Sequence, residues 1–283
     1  ASDWSSDVCS SDLLAGLPEL GRARCFAKPG GTWPMLIGTE SGIIAWDASG
    51  TARIAGNPAN AGLKDPFICD IVADGSGGEV CFLATRSGIS LLGADLSLTP
   101  LDSVLSEGSG PPPQGMVYDL DTGPDNTVWA ASEGKIYGIK KSGEGYLCRQ
   151  YAMEQDSASE NNDILCIKAD MDGNVWAGTR DGVYMLCRDT GCFTHSARVS
   201  AGTRNILVSN IWADRKHRLW ITSNYGIDQI SANSDGNLRS RMSFGPEEGL
   251  VDPLIPGHAL AMLDDGTMVL GSAHGLQYVP LME

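Results

Sequence analysis

Seven side chains carry the chemistry that this 283-residue chain offers most openly: Glu40, Arg86, Glu133, Arg180, Asn224, Tyr225 and His274. They occupy corresponding positions in six similar stretches, yet their types change from stretch to stretch. A turn alone does not dictate such a mixture, so they form the candidate ligand-binding set. Arginine offers paired donors to carboxylates, and Arg together with aromatic rings suits sugar carboxylates and hydroxyls. For acid–base catalysis, His274 beside Glu40 or Glu133 is the pairing that this placement favours.

Other chemistry has weaker support. The four histidines are scattered, and neither a G-x-S-x-G nor an H-E-x-x-H pattern occurs, so no catalytic residue is assigned. The acidic stretches "DMDG" from Asp170 and "DDG" from Asp264 lack the alternating ligands and distal Glu of a calcium loop. They read as turns. No C-x-x-C pair exists and the cysteine spacings do not fit zinc, so neither metal nor cofactor is expected. Cys25, Cys69, Cys81, Cys148 and Cys166 lie in apolar runs, where cysteine behaves as a small hydrophobe. Cys187 and Cys192 flank the turn "RDTG", which makes a cross-strand disulfide geometrically possible.

The elements that position the seven are read from "DMDGNVWAGTRDGVYML", Asp170 to Leu186. Two short apolar runs are bounded by Asp-Gly pairs, which tolerate the positive φ of tight hairpins. That is an antiparallel meander. Related runs start at Leu36, Phe82, Trp129, Trp176, Trp220 and Val269, at intervals of 44 to 49 residues. Six residues into each stands Gly42, Gly88, Lys135, Gly182, Gly226 or Gly275; the third copy places Gly134 one residue early. A period in the forties, built of short strands, is the signature of propeller blades. The expectation is an all-β protein, a β-propeller with six recognisable four-stranded blades. Their cores lie near 36–46, 82–92, 129–139, 176–186, 220–230 and 269–279. Strands A to D alternate in direction, so the B–C turns, which carry the seven candidate residues, share one face with the D-to-A crossovers. Trp129, Trp176 and Trp220 recur at one blade position and read as packing between sheets.

The stretch from Asn161, "NNDILCIKADMDGNVWAGTRDGVYML", resembles a two-component regulator propeller repeat, through Asn162, Ile167, Asp170, Gly173, Trp176, Gly178, Thr179 and Gly182. The fifth copy keeps Asn210, Asp214, Trp220, Thr222 and Gly226, and the C-terminal stretch from Phe244 resembles a last blade of that family. The first copy departs most, with Leu36 at the Trp position. Such repeats build the extracytoplasmic sensor half of hybrid histidine kinases, especially those sensing glycan fragments, and of some diguanylate cyclases. The resemblance therefore implies a periplasmic or extracytoplasmic ligand-sensing module that is not itself an enzyme. It implies a small-molecule or glycan ligand and a possible homodimer in the full-length protein. Rings in this family usually close with seven blades, so it also implies a fragment of a seven-bladed propeller. A propeller lyase and a passive protein-interaction platform are the alternatives.

Asp3 to Leu13, "DWSSDVCSSDL", resembles the translation of a common sequencing-library adapter. Residues 1–13 are therefore expected to be an artefact, with 14–283 forming the propeller and natural sequence missing before it. The net charge of −15 would be −12 without Asp3, Asp7 and Asp12. So acidic a chain repels phosphate backbones, which excludes nucleic acid as a partner. No apolar run has the length of a membrane helix, so membrane attachment would come through parts of the protein outside this sequence.

Overall fold

The computed structural model describes residues 21–29, 33–46, 52–55, 62–75, 80–154, 163–195, 207–214, 216–232, 238–245, 247, 250, 260–263, 267–272 and 275–280. The adapter-like segment Asp3 to Leu13 and His274 lie outside them. No helix among the described residues is long and apolar enough to cross a membrane.

The described strands form antiparallel meanders. The first runs β1 (Ala23–Ala27), β2 (Met35–Thr39), β3 (Gly42–Trp46) and β4 (Ala52–Ala55). The second comprises β5 (Ile68–Ala73), β6 (Cys81–Thr85), β7 (Gly88–Leu92) and β8 (Leu98–Pro100). The third comprises β9 (Val117–Thr122), β10 (Val128–Ser132), β11 (Lys135–Ser142) and β12 (Gly145–Met153). The fourth is β13 (Ile164–Ala169), β14 (Val175–Thr179), β15 (Gly182–Cys187) and β16 (Cys192–His195). The fifth is β17 (Val208–Ala213), β18 (Arg218–Ser223), β19 (Gly226–Ala232) and β20 (Leu238–Phe244). β21 (Leu260–Met262), β22 (Thr267–Ser272) and β23 (Gly275–Pro280) form a further sheet. The third and fourth meanders also join at their outer strands, where Ala152 and Met153 pair in parallel with Cys192 and Phe193.

Each meander packs its face on the next. Leu36 and Ile43 of the first meet Ile71 and Leu83 of the second, and Phe82 and Leu91 meet Leu120 and Tyr137 of the third. Trp129 and Ile136 meet Tyr184 and Phe193. Trp176 and Val183 meet Val208 and Ile211, and Trp220 meets Met268 and Leu270. Strands covered on both faces lose the apolar–polar alternation of a half-exposed sheet. Accordingly β6, β7, β10 and β14 are buried at every position.

The repeated T-x-x-G has a local cause. Thr39 Oγ1 donates to the Gly42 carbonyl (2.8 Å) and accepts from the Ser41 N–H (3.2 Å), which staples the β2–β3 turn. Thr85 does the same with Gly88 and Ser87, and Thr179 with Gly182 and Asp181. Ser223 fills the role with Gly226 and Tyr225. The four glycines sit at φ of 141°, 118°, 112° and 129°, where a Cβ is strained. In the third copy Ser132 instead donates to the Met116 carbonyl. Gly134, at φ 63°, then takes the left-handed position within the turn, which explains its displacement by one residue.

Five cysteines, Cys25, Cys69, Cys81, Cys148 and Cys166, are buried. Burial pushes their thiols up, to about 11 for Cys69 and about 12 for Cys81, which makes them poor nucleophiles. Cys187 and Cys192 differ. They stand directly opposite each other across β15 and β16, as free thiols. Antiparallel partners have Cα atoms about 4.5–5.5 Å apart, a span a disulfide covers. Hydrogen bonds from the Thr190 side chain and then its backbone hold the Cys187 thiol below its ordinary value. A mild oxidant is therefore expected to link this pair within one chain, read as loss of both thiols in a titration. Cys187→Ser should abolish that loss; retention of both thiols in the parent protein would contradict the prediction.

Candidate functional site

The strands β1, β5, β9, β13 and β17 lie side by side, each from a different meander. Each carries a β-bulge, at Arg24, Cys69, Tyr118, Leu165 and Ser209 respectively. A bulge leaves one residue without a cross-strand partner and re-aims its side chain. The residue after the bulge is Cys25, Asp70, Asp119, Cys166 or Asn210. Asp70 and Asp119 work as straps: Asp70 Oδ2 accepts the Leu120 N–H at 2.9 Å, and Asp119 Oδ2 accepts the Ile167 N–H at 2.7 Å. The bulges at Cys69 and Tyr118 are thus pinned to the neighbouring meanders, at the end of the molecule where the B–C turns lie.

The turn residues chosen from sequence divide into two groups. Glu40 and Asn224 act on the chain leading into the inner strands. Glu40 Oε2 accepts the Arg22 N–H at 3.5 Å while its own N–H donates to the Arg22 carbonyl. Asn224 repeats the clasp on Leu207, its Oδ1 accepting the Leu207 N–H at 3.2 Å. Arg86, Glu133 and Arg180 instead join side chains absent from the sequence-derived set. The Arg86 guanidinium lies 3.6 Å from the centre of the Phe67 ring, and Arg24 lies 5.1 Å from the same ring. Such stacking favours a cation by roughly 0.5–2 kcal/mol. Arg180 Nε donates to Asp163 Oδ2 at 3.0 Å. Tyr118 sits among these last groups. Burial raises its phenol above the ordinary value, the Asp163 and Glu133 carboxylates raise it further, and Arg180 works the other way. The phenol therefore stays protonated at neutral pH and can donate.

Cys69 links the two clusters. Its thiol feels Arg24 and Arg86 on one side, and Tyr118 feels Cys69 on the other. Arg24 and Arg86 are thus within electrostatic reach of Cys69, and Tyr118 is within reach of Cys69, Glu133, Asp163 and Arg180. Tyr225 is 70% exposed at the fifth B–C turn. Sequence reasoning missed Arg24, Phe67, Tyr118 and Asp163. For Tyr118 the available signal was the second position of "ICDI", "VYDL", "ILCI" and "VSNI", which changes type while the first and fourth stay aliphatic.

Three further findings bear on this site. Residues 159–181 match the family described as two component regulator propeller. No curated protein sequence matches the chain. Several solved structures share the fold. The extracellular domain of a putative one component system from B. thetaiotaomicron is 15% identical, with a TM-score of 0.66 over 91% of this chain and 32% of that one. The extracellular domain of a putative hybrid two component system from B. thetaiotaomicron is 12% identical, with a TM-score of 0.65 over 92% and 34%. Virginiamycin B lyase from Staphylococcus aureus is 12% identical, with a TM-score of 0.62 over 94% and 86%. The chain spans about a third of the length of the two extracellular domains. The protein is all-β with a propeller-like fold, and it carries a two-component regulator propeller repeat at residues 159–181.

Proposed function

We propose that this chain is the extracytoplasmic ligand-sensing propeller of a two-component signalling protein of the hybrid histidine kinase type. In this reading it contributes six blades of a seven-bladed ring. It binds a small ligand, most suitably an oligosaccharide, on its B–C turn face without changing it chemically. One observation carries the reading. A scaffold that otherwise repeats holds non-repeating Arg24, Arg86, Tyr118, Glu133 and Arg180 at one end. The propeller repeat and the shared fold with extracellular domains of signalling systems support it.

Calorimetry or a glycan array, run on the sensor region, tests the reading. If Arg86 and Arg180 hold the ligand by charge-assisted hydrogen bonds, replacing either by Ala should cost roughly 1.5–3 kcal/mol of binding, or about tenfold to a hundredfold in affinity. An unchanged affinity in both variants would remove the site assignment. Cleavage of the ligand during the assay would favour the lyase alternative, with His274 the first residue to replace.

A further inference from the structure

A second site lies at the opposite end of the strands, between the third and fourth meanders. It begins with a broken repeat. Trp176 Nε1 donates to Asp170 Oδ2 at 2.9 Å, and Trp220 Nε1 donates to Asp214 Oδ2 at 3.1 Å. In each case the acid stands six residues before the Trp. Six residues before Trp129 stands Gly123, which has no side chain. A Cβ built on Gly123 would lie 3.4 Å from Trp129 Nε1, so the indole nitrogen borders the space that a carboxylate fills in the other two meanders. Trp129 lines a cleft, and among the described residues its indole N–H makes no hydrogen bond of the kind that Trp176 and Trp220 make. The N–H borders the cleft and is open to an acceptor bound there.

The space is large. A cleft of about 880 Å³ opens there, within the range of small-molecule sites. Gly138, Leu147 and Tyr151 form one wall, and Leu186 and Arg188 the other. Leu147 is 39% exposed, an apolar surface facing the opening. The acids of the cleft are engaged: Asp125 with Lys140 Nζ at 2.7 Å, and Asp172 with His217 Nδ1 at 2.7 Å. Among the described residues, neither Arg149 nor Arg188 has an acid partner. Arg149 lies 5.0 Å from the centre of the Tyr151 ring. Arg188 Nη2 donates to the Gly173 and Asp172 carbonyls at 2.8 and 3.2 Å. Each guanidinium has five N–H donors, so both retain capacity toward the cleft.

We propose that this cleft binds a small organic carboxylate with a partly apolar body, its acid group taken by Arg149 and Arg188 and a second acceptor reaching the Trp129 N–H. A uronic-acid saccharide and a short acidic peptide both offer that chemistry. The test is calorimetric titration of the full chain with digalacturonate, with triglutamate and with a neutral disaccharide. Saturable binding of one of the two acids but not of the neutral sugar is expected, and which acid binds identifies the source. Gly123→Asp should restore the acidic partner found beside Trp176 and Trp220. It should weaken binding at least tenfold while leaving the fold and thermal midpoint intact. Arg188→Ala should weaken it comparably, and gives an independent reading if Gly123→Asp fails to fold. No binding of either acid, or binding indifferent to both substitutions, overturns the proposal. Arg86→Ala touches only the other end, so loss of binding there and not here would assign the ligand to the B–C turn face.

Discussion

Replacing Trp176 by Ala is expected to lower the unfolding free energy by about 3–5 kcal/mol, the range for deleting a fully buried large aromatic side chain. Trp176 is 1% exposed and fills the space between the fourth and fifth meanders, against Val208, Ile211 and Leu219. It also contributes a polar bond. Asp170 accepts from the Asp172 and Asn174 backbone N–H groups (3.0 and 2.8 Å), from Asn174 Nδ2 (3.0 Å) and from Trp176 Nε1 (2.9 Å). The truncation therefore opens a cavity and removes one donor from a carboxylate that organises the β13–β14 turn. Trp176→Phe keeps much of the volume and loses the bond, so its cost should fall clearly below that of Ala. Denaturant unfolding followed by circular dichroism measures both. A loss under about 1 kcal/mol for the Ala variant would mean that the sheets repack, against the close-packed interior inferred here.

The second large effect concerns Gly178. A Cβ there would overlap Cys166 Sγ and come within 2.6 Å of Val208 Cγ1. Gly178→Ala is expected to destabilise by about 1–3 kcal/mol, the usual cost of overpacking. Part of that cost should disappear in the Cys166→Ala background, because the sulfur is one of the two obstructions. Residues in contact couple by roughly 0.5–3 kcal/mol, so a double-mutant cycle of unfolding free energies resolves it. Strict additivity of the two substitutions would refute the contact. Cys25 and Gly38 repeat the arrangement in the first meander, with Ile68 as the second obstruction. Where the inner strand carries Asp70 or Asp119, the facing residue is Ala84 or Ala131. The glycine in "AGT" is thus a packing residue matched to sulfur, whereas the glycine three residues after Thr179 is a conformational one.

The sequence by itself determined what neighbours along the chain decide. The hairpin turns follow from Thr, Gly and Asp chemistry within four residues. The acidic turn before Trp176 follows from Asp170 capping the N–H groups of Asp172 and Asn174. Strand periodicity and the repeat interval then gave the all-β meanders. The tertiary structure decided everything that depends on residues from a neighbouring meander. Asp119 is a strap only because the Ile167 N–H, 48 residues away, arrives beside it. Glu40 and Asn224 look like Arg86 and Arg180 in a linear repeat, but the chain ahead of the inner strand claims the first two while the second pair joins Phe67, Asp163 and Tyr118. The bulges that aim Arg24 and Tyr118 arise from strand pairing, which a run of apolar letters does not encode. The cleft beside Trp129 likewise appears when Gly123 meets the wall of the next meander. Backbone turn chemistry is short-ranged and therefore legible in order along the chain. Hydrogen bonds and packing between sheets link residues that only folding brings together.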